Sequence, residues 1–293
     1  MTYNKNIINK LSITKKSLWS LVLVAKEKIY SKDALGDLIS IKKSIGKKEY
    51  RFSYNLKTQA ISKSNFLLDD YGVMLLSLFL PIIFNNKNDP YLIAHIAQTL
   101  DGFIATESGE SKYISSDDNL THIHMIRAIS DIIIVGNKTI ELDNPMLTTR
   151  HVKGASPMRI IIDKNNKLSK KYNVFKNSDG HTYKLISDNI KTKSDNIFQL
   201  PLIEDKFDVY DIYNLMKKLR KKIIFIEGGG ATVSDFYNKN ILDRLHICIS
   251  PSILGKGKSS FITQRRKSLD DELNHKIKYS KMGKDILCDI DLS

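Results

Sequence analysis

From Tyr91 onward, the chain alternates short apolar runs with segments of helical periodicity, and this alternation limits the possible folds more than any other feature. Short apolar runs are typical of strands buried on both faces of a sheet, and apolar residues three and four positions apart indicate amphipathic helices. Strands are predicted at Tyr91–Ala97, Ile132–Val135, Met158–Ile162, Tyr183–Ile186, Ile223–Ile226 and Arg244–Ser250. Helices are predicted at Asp117–Ser130, at Phe207–Arg220 and from the glycines after Ile226 to Asn238.

Strands that alternate with helices predict an α/β domain whose mainly parallel sheet is covered by helices on both faces. The last segment differs, because Asn274 to Leu292 has the pattern of a hairpin that turns at Gly283-Lys284. We therefore expect antiparallel strands at one edge of an otherwise parallel sheet.

The first ninety residues follow another pattern and predict a small, mostly helical α+β region that precedes the α/β domain. Its predicted elements are helices at Lys16–Tyr30 and Asp33–Ile45, a strand at Glu49–Leu56, and a buried helix at Leu67–Leu80 that Pro81 ends. The polar stretch Asn85–Pro90 marks the predicted boundary, which gives an accessory region at 1–89 and a second domain at 90–293. The accessory region contains no catalytic motif, and its role stays open.

Net charge and cysteine content narrow the class of protein. The chain of 293 residues has a formal net charge of +14, and such a chain attracts phosphates of any kind. Because no basic motif interleaved with aromatic residues accompanies the charge, a solvated lysine-rich surface is favoured over nucleic-acid binding. Cys248 and Cys288 lack the spacing of a zinc or redox site. We expect two buried thiols in a cytoplasmic protein, with one disulfide as the alternative.

Two apolar runs have some features of a membrane-spanning segment or a signal peptide. Leu18–Ala25 follows a lysine-rich start, but Lys26, Glu27 and Lys28 stand where a signal peptide has small residues. Tyr71–Phe84 contains Pro81 and is shorter than the ~20 residues that span a bilayer. Both runs are predicted to be core helices, and no membrane partner is expected.

The sharpest local motif is the segment Ile223–Thr232, in which a buried strand leads into Glu227, three glycines and a helix. Glycines let the backbone approach a phosphate closely, and a helix N-terminus offers N–H donors and positive potential. The segment suits a dinucleotide pyrophosphate, although the GxGxxG fingerprint is absent. A plain tight turn is the alternative interpretation.

Two further motifs precede it. Gln98–Ala105 contains the turn dipeptide Asp101-Gly102 and leads to the sequence SGES at 108–111, for which a simple hairpin is the alternative. In the segment 136–145, a strand delivers a glycine to a short helix that places Thr139 and Asp143 one turn apart on one face. Helix termination is the alternative reason for the Asp-Asn-Pro sequence that ends this segment. His122 and His124 point to different helix faces, so no metal site is predicted and both are interpreted as packing or phosphate-edge residues.

Taken in order, these motifs resemble one family. The series LDG, SGES, a helix that ends in Arg127-Ala128, GxxTI..DNP.L..R and EGGG is similar to the pyrimidine reductase of riboflavin biosynthesis. That enzyme is the reductase half of a bifunctional deaminase–reductase and has a dihydrofolate reductase-like fold. The resemblance covers about Pro90 to Leu292.

The resemblance implies a site for NADPH and a site for a phosphorylated substrate. For NADPH it implies contacts with Ala97, Tyr113, Thr139 and Asp143, and with the Gly229–Asp235 segment, so that Gly228, Gly229, Gly230, Ala231 and Thr232 form the cradle. For the substrate it implies that Ser111, Arg127, Leu147 and Arg150 hold the ribose phosphate, that Glu227 faces the substrate, and that Asp101 and His95 lie near it. Two arginines and a hydroxyl suit a phosphate monoester. An ion pair on the helix surface for Arg127 and a solvated side chain for Arg150 are the alternatives.

The sequence departs from the family pattern at three places. The family often has lysine at the position of His95, and histidine is shorter and mostly neutral at pH 7. Lys164 follows Asp163 where the family commonly has a small hydroxyl residue, and Lys164 could pair with the 2′-phosphate of NADPH. The HxE and PCxxC signature of zinc deaminases has no counterpart in residues 1–90, which contain neither His nor Cys.

The implied activity is hydride transfer from NADPH to C1′ of a ribosylaminopyrimidine phosphate such as 5-amino-6-(5-phosphoribosylamino)uracil, which gives the ribitylamine. Glu227 or Asp143 could orient the substrate or help to deliver a proton. A homodimer is expected from the family. The alternatives are a related reductase that acts on another pyrimidine, pterin or specialised metabolite, which His95 favours, and a nucleotide-binding protein without turnover.

Overall fold

The computed structural model describes residues 10–30, 37–85, 87–111, 114–176, 179–264, 268 and 275–293. The chain divides into two compact units, Met1–Asn86 and Lys87–Ser293. This division lies three residues before the boundary predicted from the sequence. No helix in the described ranges combines the length and the apolar character needed to cross a membrane.

The first unit contains two helices and a three-stranded antiparallel sheet of order β1-β2-β3. Its elements are α1 at Lys15–Lys28, β1 at Leu38–Ile45, β2 at Lys48–Asn55, β3 at Ile61–Ser62 and α2 at Asp70–Ile83. The Thr14 hydroxyl accepts from the N–H of Ser17 and caps α1, and the Asp69 carboxylate accepts from Gly72 and caps α2. Trp19 of α1 packs edge-on against Phe79 of α2, with 5.4 Å between the ring centroids.

Two sequence predictions for this unit are wrong. The helix predicted at Asp33–Ile45 is strand β1 over the described residues 38–45, because Ile39 and Ile41 alternate with exposed residues and pair with β2. Pro81 does not end α2, which continues to Ile83. A proline in the last turn removes one backbone donor, and the buried side chains around it, such as Phe79 and Ile82, keep the turn packed.

The second unit has a nine-stranded sheet of order β13-β14-β11-β4-β10-β6-β7-β8-β9, and β5 pairs separately with β12. The strands are β4 Tyr91–Gln98, β5 Phe103–Ala105, β6 Ile132–Gly136, β7 Met158–Ile162, β8 Thr182–Ser187, β9 Ile197–Leu200, β10 Ile223–Glu227, β11 Arg244–Ile249, β12 Lys258–Ser259, β13 Lys276–Met282 and β14 Asp285–Asp291. The helices are α3 Asp117–Ile129, α4 Asn137–Asp143, α5 Asn173–Lys176, α6 Val209–Lys218 and α7 Gly230–Asn238.

The sheet confirms the predicted α/β architecture. The seven strands from β11 to β9 pair in parallel, and the β13–β14 hairpin adds the only antiparallel pairs of the sheet within the described residues. Central strands such as β6 contain no polar side chain because both of their faces are covered. Strand β9 and the β5–β12 pair were not predicted from the sequence.

Candidate functional site

Helix α3 meets the sheet through polar side chains. Strand pairing aligns Glu227 of β10, His95 of β4, His246 of β11 and Asp289 of β14 in one row across the sheet. Residues in register point to the same face, so the row forms a polar line beneath α3. Arg127 of α3 donates to both carboxylate oxygens of Glu227, with its Nε 2.8 Å from Oε2 and its Nη2 2.5 Å from Oε1.

His95 takes part in this buried layer. Its Nε2 lies 2.9 Å from Oδ1 of Asn119, and its side chain is 4% exposed. Burial and the neighbouring His246 lower the pKa of His95 to about 3, against the hydrogen bond to Asn119, which raises it. His122 Nε2 lies 3.0 Å from His246 Nδ1. The neutral imidazole of His95 is thus hydrogen-bonded to α3 and has a structural role in this conformation. The contact between His95 and the substrate stays a prediction.

Asp289 ends the row as the partner of Arg244 and His246. Arg244 donates to both oxygens of Asp289 at 2.5 and 2.6 Å, and His246 Nε2 lies 3.2 Å from Oδ1. Burial alone would raise the pKa of Asp289, but the hydrogen bonds from His246 and Arg244 hold it well below its usual range. The layer therefore contains the ionised carboxylate of Asp289, whose negative charge the Arg244 guanidinium balances.

The predicted substrate residues Arg127, Arg150 and Glu227 lie together. Burial lowers the pKa of Arg150, the Arg127 cation lowers it further, and the Glu227 carboxylate opposes both effects. His124 is beside them, and burial together with Arg127, Arg150 and the stacked His151 lowers its pKa to about 3. The two arginines outnumber the one carboxylate, so the cluster is cationic and suits an anion such as a phosphate monoester. The Arg127 guanidinium already donates to Glu227 and to the Thr148 carbonyl.

The loop 144–150, which carries Leu147 and Arg150, is held by hydrogen bonds along its length. Arg159, fully buried on β7, donates to the carbonyl of Met146 at 3.1 Å, and Arg127 Nη1 donates to the carbonyl of Thr148 at 3.1 Å. The N–H of Arg150 donates to His124 Nδ1 at 3.1 Å. Leu147 is fully buried and has a φ of 55°, a strained value for a leucine. The bonds on either side keep this strained backbone in place.

The glycine turn lies between α4 and α7. Gly228 has a φ of 123°, which side-chain-bearing residues rarely adopt, and the N–H of Gly229 donates to the Thr139 hydroxyl at 3.2 Å. A Cβ on Gly230 would lie 1.8 Å from the carbonyl oxygen of Ser260, so this position has no room for a side chain. In the described part of the chain, no side chain caps the N-terminus of α7. A helix N-terminus without a side-chain cap suits an anion, and at this one the Thr139 hydroxyl takes the N–H of Gly229 while the Ser260 carbonyl fills the space over Gly230.

A cavity of about 270 Å³ adjoins this helix N-terminus. It lies at the carboxyl ends of β6 and β7, and its lining includes Gly136, Thr232, Asp163, Lys164 and Asp205. Asp163 is buried, accepts from the N–H groups of Lys167 and Leu168 at 2.9 Å, and pairs with Lys184 at 2.9 Å. Lys164 forms an ion pair with Asp205. Ligands of open parallel sheets bind at this edge, outside the carboxyl ends of the strands.

The remaining predicted residues are placed as follows. Ser111 donates to Asp143 Oδ1 at 3.1 Å, which joins one predicted substrate residue to one predicted cofactor residue. Ala97 is half-buried on β4. Asp101 accepts from the N–H groups of Leu254 and Gly255 and thereby fastens the loop after β11. Ala231 is exposed in the first turn of α7. Tyr113 lies outside the described residues.

Sequence reasoning missed Asp205 and Lys206 as cavity residues and His124 as a support for Arg150. Asp205 is 41 residues from its partner Lys164, in a loop without a motif. His124 was recognised only as packing or a phosphate-edge residue, because its partner is a backbone N–H whose position depends on the loop conformation. No group of His, Cys, Asp and Glu in the described residues can hold a metal ion.

A mainly parallel sheet with helices on both faces, an antiparallel hairpin at its edge and a glycine turn at a helix N-terminus define an α/β protein with an open sheet. Residues 90–287 match the family described as RibD C-terminal domain, and the chain belongs to this family. The resemblance found in the sequence motifs is thereby confirmed.

Three relatives illustrate the range of the family. The riboflavin biosynthesis protein RibD of Aquifex aeolicus is 31% identical over 68% of this chain and 56% of its own length. The 2,5-diamino-6-ribosylamino-4(3H)-pyrimidinone 5′-phosphate reductase of Kluyveromyces marxianus is 29% identical over 58% of this chain and 76% of its own length. A Thermotoga maritima diaminohydroxyphosphoribosylaminopyrimidine deaminase/5-amino-6-(5-phosphoribosylamino)uracil reductase superposes with a TM-score of 0.61 at 24% identity, over 76% of this chain and 61% of that one. The chain thus spans less than two thirds of the bacterial RibD protein that it matches.

Proposed function

We propose that residues 90–293 form an NADPH-dependent reductase that converts a phosphorylated ribosylaminopyrimidine to its ribitylamino form in riboflavin biosynthesis. One observation carries this proposal: Glu227, paired with Arg127 beside Arg150, is followed directly by the glycines that begin α7. A cationic place for a phosphorylated substrate and a cradle for a dinucleotide are therefore neighbours at the end of one strand. Membership of the RibD C-terminal domain family supports the same function.

The cofactor residues are proposed from the family resemblance, and among them Thr139 lies against the glycine turn while Thr232 and Lys164 line the cavity. Gly228, Gly229, Gly230, Ala231 and Thr232 would hold the pyrophosphate at the N-terminus of α7. Ala97, Tyr113, Thr139 and Asp143 would lie on the nicotinamide and ribose side, and Lys164 would bind the 2′-phosphate. NADPH, when bound, supplies the hydride for C1′ of the substrate in its imine form.

The residues assigned to the substrate would bind its phosphate and orient its reacting carbon. Arg127 and Arg150 would bind the ribose phosphate, with Ser111 and the backbone around Leu147 beside them, and with Asp101 and His95 as further expected neighbours. Glu227, held by both nitrogens of the Arg127 fork, has a fixed direction and can accept a hydrogen bond from a substrate hydroxyl. Positioned groups of this kind lower the entropic barrier to transfer. Help from Glu227 or Asp143 in delivering a proton is part of the same proposal.

The named relatives act on two different pyrimidines, so two candidate substrates have to be tested for this chain. The Kluyveromyces relative is named for a 2,5-diaminopyrimidinone, whereas the Thermotoga protein is named for a uracil, the deaminated ring. The test is NADPH oxidation by the full chain with each of the two ribosylamino phosphates, with NADH as the control cofactor. Oxidation with either substrate supports the reductase proposal, and the faster one identifies the ring. No oxidation with either would contradict it.

A variant tests the role of Glu227 in orientation or proton delivery. Glu227→Gln keeps the side-chain shape and one acceptor oxygen but removes the charge that holds Arg127. We expect kcat to fall at least tenfold, because binding of substrate by Arg150 persists while its orientation is lost. The exposed Lys218→Met on α6 serves as a charge control that should not change kcat. Unchanged turnover in Glu227→Gln would remove Glu227 from the mechanism.

Three further assignments complete the proposal. Residues 1–89 are an accessory region without deaminase chemistry, since they contain no His or Cys with which to bind zinc. Cys248 and Cys288 are free and buried, which supports a reducing, cytoplasmic location. A homodimer is proposed from family membership, and sedimentation velocity of the full chain tests it.

A further inference from the structure

The turn 203–206 holds two neighbouring residues in a conformation that L-amino acids seldom adopt. Ile203 and Lys206 exchange backbone hydrogen bonds of 2.8 and 3.0 Å across it. Between them, Glu204 and Asp205 have φ values of 47° and 61°. Two successive positive φ angles define a type I′ turn, for which Asn and Gly are the usual residues. A turn made instead from two carboxylate residues stores strain at this position, which directs attention to what the side chains contact.

Asp205 is in contact with Lys164 at the cavity beside α7. Its carboxylate forms an ion pair with the ammonium group of Lys164, and Lys164 Nζ also donates to the backbone carbonyl of Asp205 at 2.8 Å. Both residues line the cavity of about 270 Å³. The ammonium group of Lys164, which would bind a phosphate, therefore contacts one residue of the strained turn, Asp205, through both its carboxylate and its carbonyl.

Four acidic residues line the cavity, and within the described residues Lys164 forms its ion pair with Asp205 rather than with Glu141, Asp163 or Asp235. Asp163 is buried and balanced by Lys184. Asp235 faces Lys206, whose charge lowers the pKa of that carboxyl against the larger effect of burial, which raises it. Since Asp163 is balanced in this way, the carboxylate in direct contact with Lys164 belongs to Asp205.

We propose that Asp205 is a specificity-determining residue for the cofactor, because its carboxylate occupies the place beside Lys164 that the 2′-phosphate of NADP(H) takes. Binding of the phosphate exchanges one anion for another on the same ammonium group. NAD(H) has a hydroxyl at that position and leaves the Lys164–Asp205 pair intact. The turn therefore sets how strongly the protein distinguishes the two cofactors. The inference rests on the proposed function, in that the cofactor is placed in this cavity.

The test measures equilibrium dissociation constants by calorimetry with the full chain, for NADP⁺, NAD⁺ and 2′,5′-ADP. Asp205→Asn removes the charge and keeps a residue that tolerates positive φ. We expect it to tighten binding of NADP⁺ and 2′,5′-ADP by about two- to fivefold, the effect of an exposed ion pair, and to leave NAD⁺ unchanged. In a Lys164→Met background, the same substitution should change none of the three constants.

Glu204→Gln is the matched control, since it makes the same change of charge one residue away in the same turn, and Glu204 forms no ion pair within the described residues. An equal gain in both variants would show a general charge effect and overturn the role of Asp205. An unchanged NADP⁺ to NAD⁺ ratio in Asp205→Asn would overturn it as well. Failure of the protein to bind any of the three ligands is a different outcome, because it contradicts the proposed cofactor site itself and the inference with it.

Discussion

Replacement of Gly230 by alanine tests the packing of the glycine turn most directly. The added Cβ would lie 1.8 Å from the Ser260 carbonyl oxygen and 2.7 Å from its carbonyl carbon. Neither atom belongs to a flexible side chain, so the backbone at Ser260 has to move by more than 1 Å. That backbone is fixed, because Ser260 N–H donates to Gly102 at 2.9 Å and Ile262 N–H donates to the Ser234 hydroxyl at 2.8 Å.

The expected cost combines overpacking with the loss of at least one of these hydrogen bonds. Together they lower the free energy of unfolding by about 2–4 kcal/mol. For a unit of this size, the loss corresponds to a fall in Tm of roughly 5–15 °C. Differential scanning calorimetry measures it, and NADP⁺ titration of the folded variant should show weaker binding, since the N-terminus of α7 moves with the turn.

Gly229→Ala is the matched control. Gly229 has a φ of −54°, and its added Cβ would lie 3.7 Å from the Thr139 hydroxyl oxygen, an ordinary contact. We expect a loss of at most about 1 kcal/mol, from the poorer helix-capping preference of alanine. If Gly230→Ala were as stable as Gly229→Ala, the close approach of the Ser260 backbone to the turn would be refuted.

Three further predictions concern the histidine layer and the phosphate cluster. Burial lowers the pKa of His95 to about 3 and lowers those of His122 and His246. Below pH 6.5 the unfolded chain therefore binds more protons than the folded chain. The free energy of unfolding should fall as the pH is lowered, by up to about 1.4 kcal/mol per pH unit for each histidine. A His246→Gln variant whose free energy of unfolding, measured by urea titration, had the same slope against pH would contradict this prediction. Arg150→Met should raise KM for the phosphorylated substrate about ten- to hundredfold and leave KM for the dephosphorylated substrate unchanged, and equal rises in steady-state assays would exclude phosphate contact. His124→Ala leaves the N–H of Arg150 without its acceptor and should cost about 1–3 kcal/mol in denaturant unfolding, whereas a neutral result would show that the loop 144–150 does not depend on this bond.

The central sheet could be predicted from the sequence because its strands carry their own signal. The clearest signals are two apolar runs with a glycine shortly after each, Ile132–Val135 and Ile223–Ile226. In a parallel sheet the carboxyl ends of such strands lie at one edge. The strand Leu38–Ile45 was missed, since lysines and serines on its exposed face weaken the alternation. Its identity depends on pairing with β2, which local periodicity does not contain.

The members of the candidate site could also be named from the sequence, but their partners could not. Arg127 and Glu227 were both assigned to the substrate, and the structure pairs them with each other across 100 residues. This contact depends on the register between α3 and β10, which places one arginine over one carboxylate. Asp205 shows the same limit, because a turn reaches Lys164 only once β9 and α6 have fixed its two ends.

The junction of Glu227 and Gly228 has a consequence for how the two halves of the proposed reaction stay aligned. The residue assigned to the substrate and the turn assigned to the cofactor are successive in the chain, and a peptide bond keeps their Cα atoms 3.8 Å apart. Covalent geometry, rather than packing between separate elements, therefore fixes the spacing of these two backbone positions. Substitutions elsewhere can weaken the binding of either proposed ligand, but they cannot separate Glu227 from the turn that follows it.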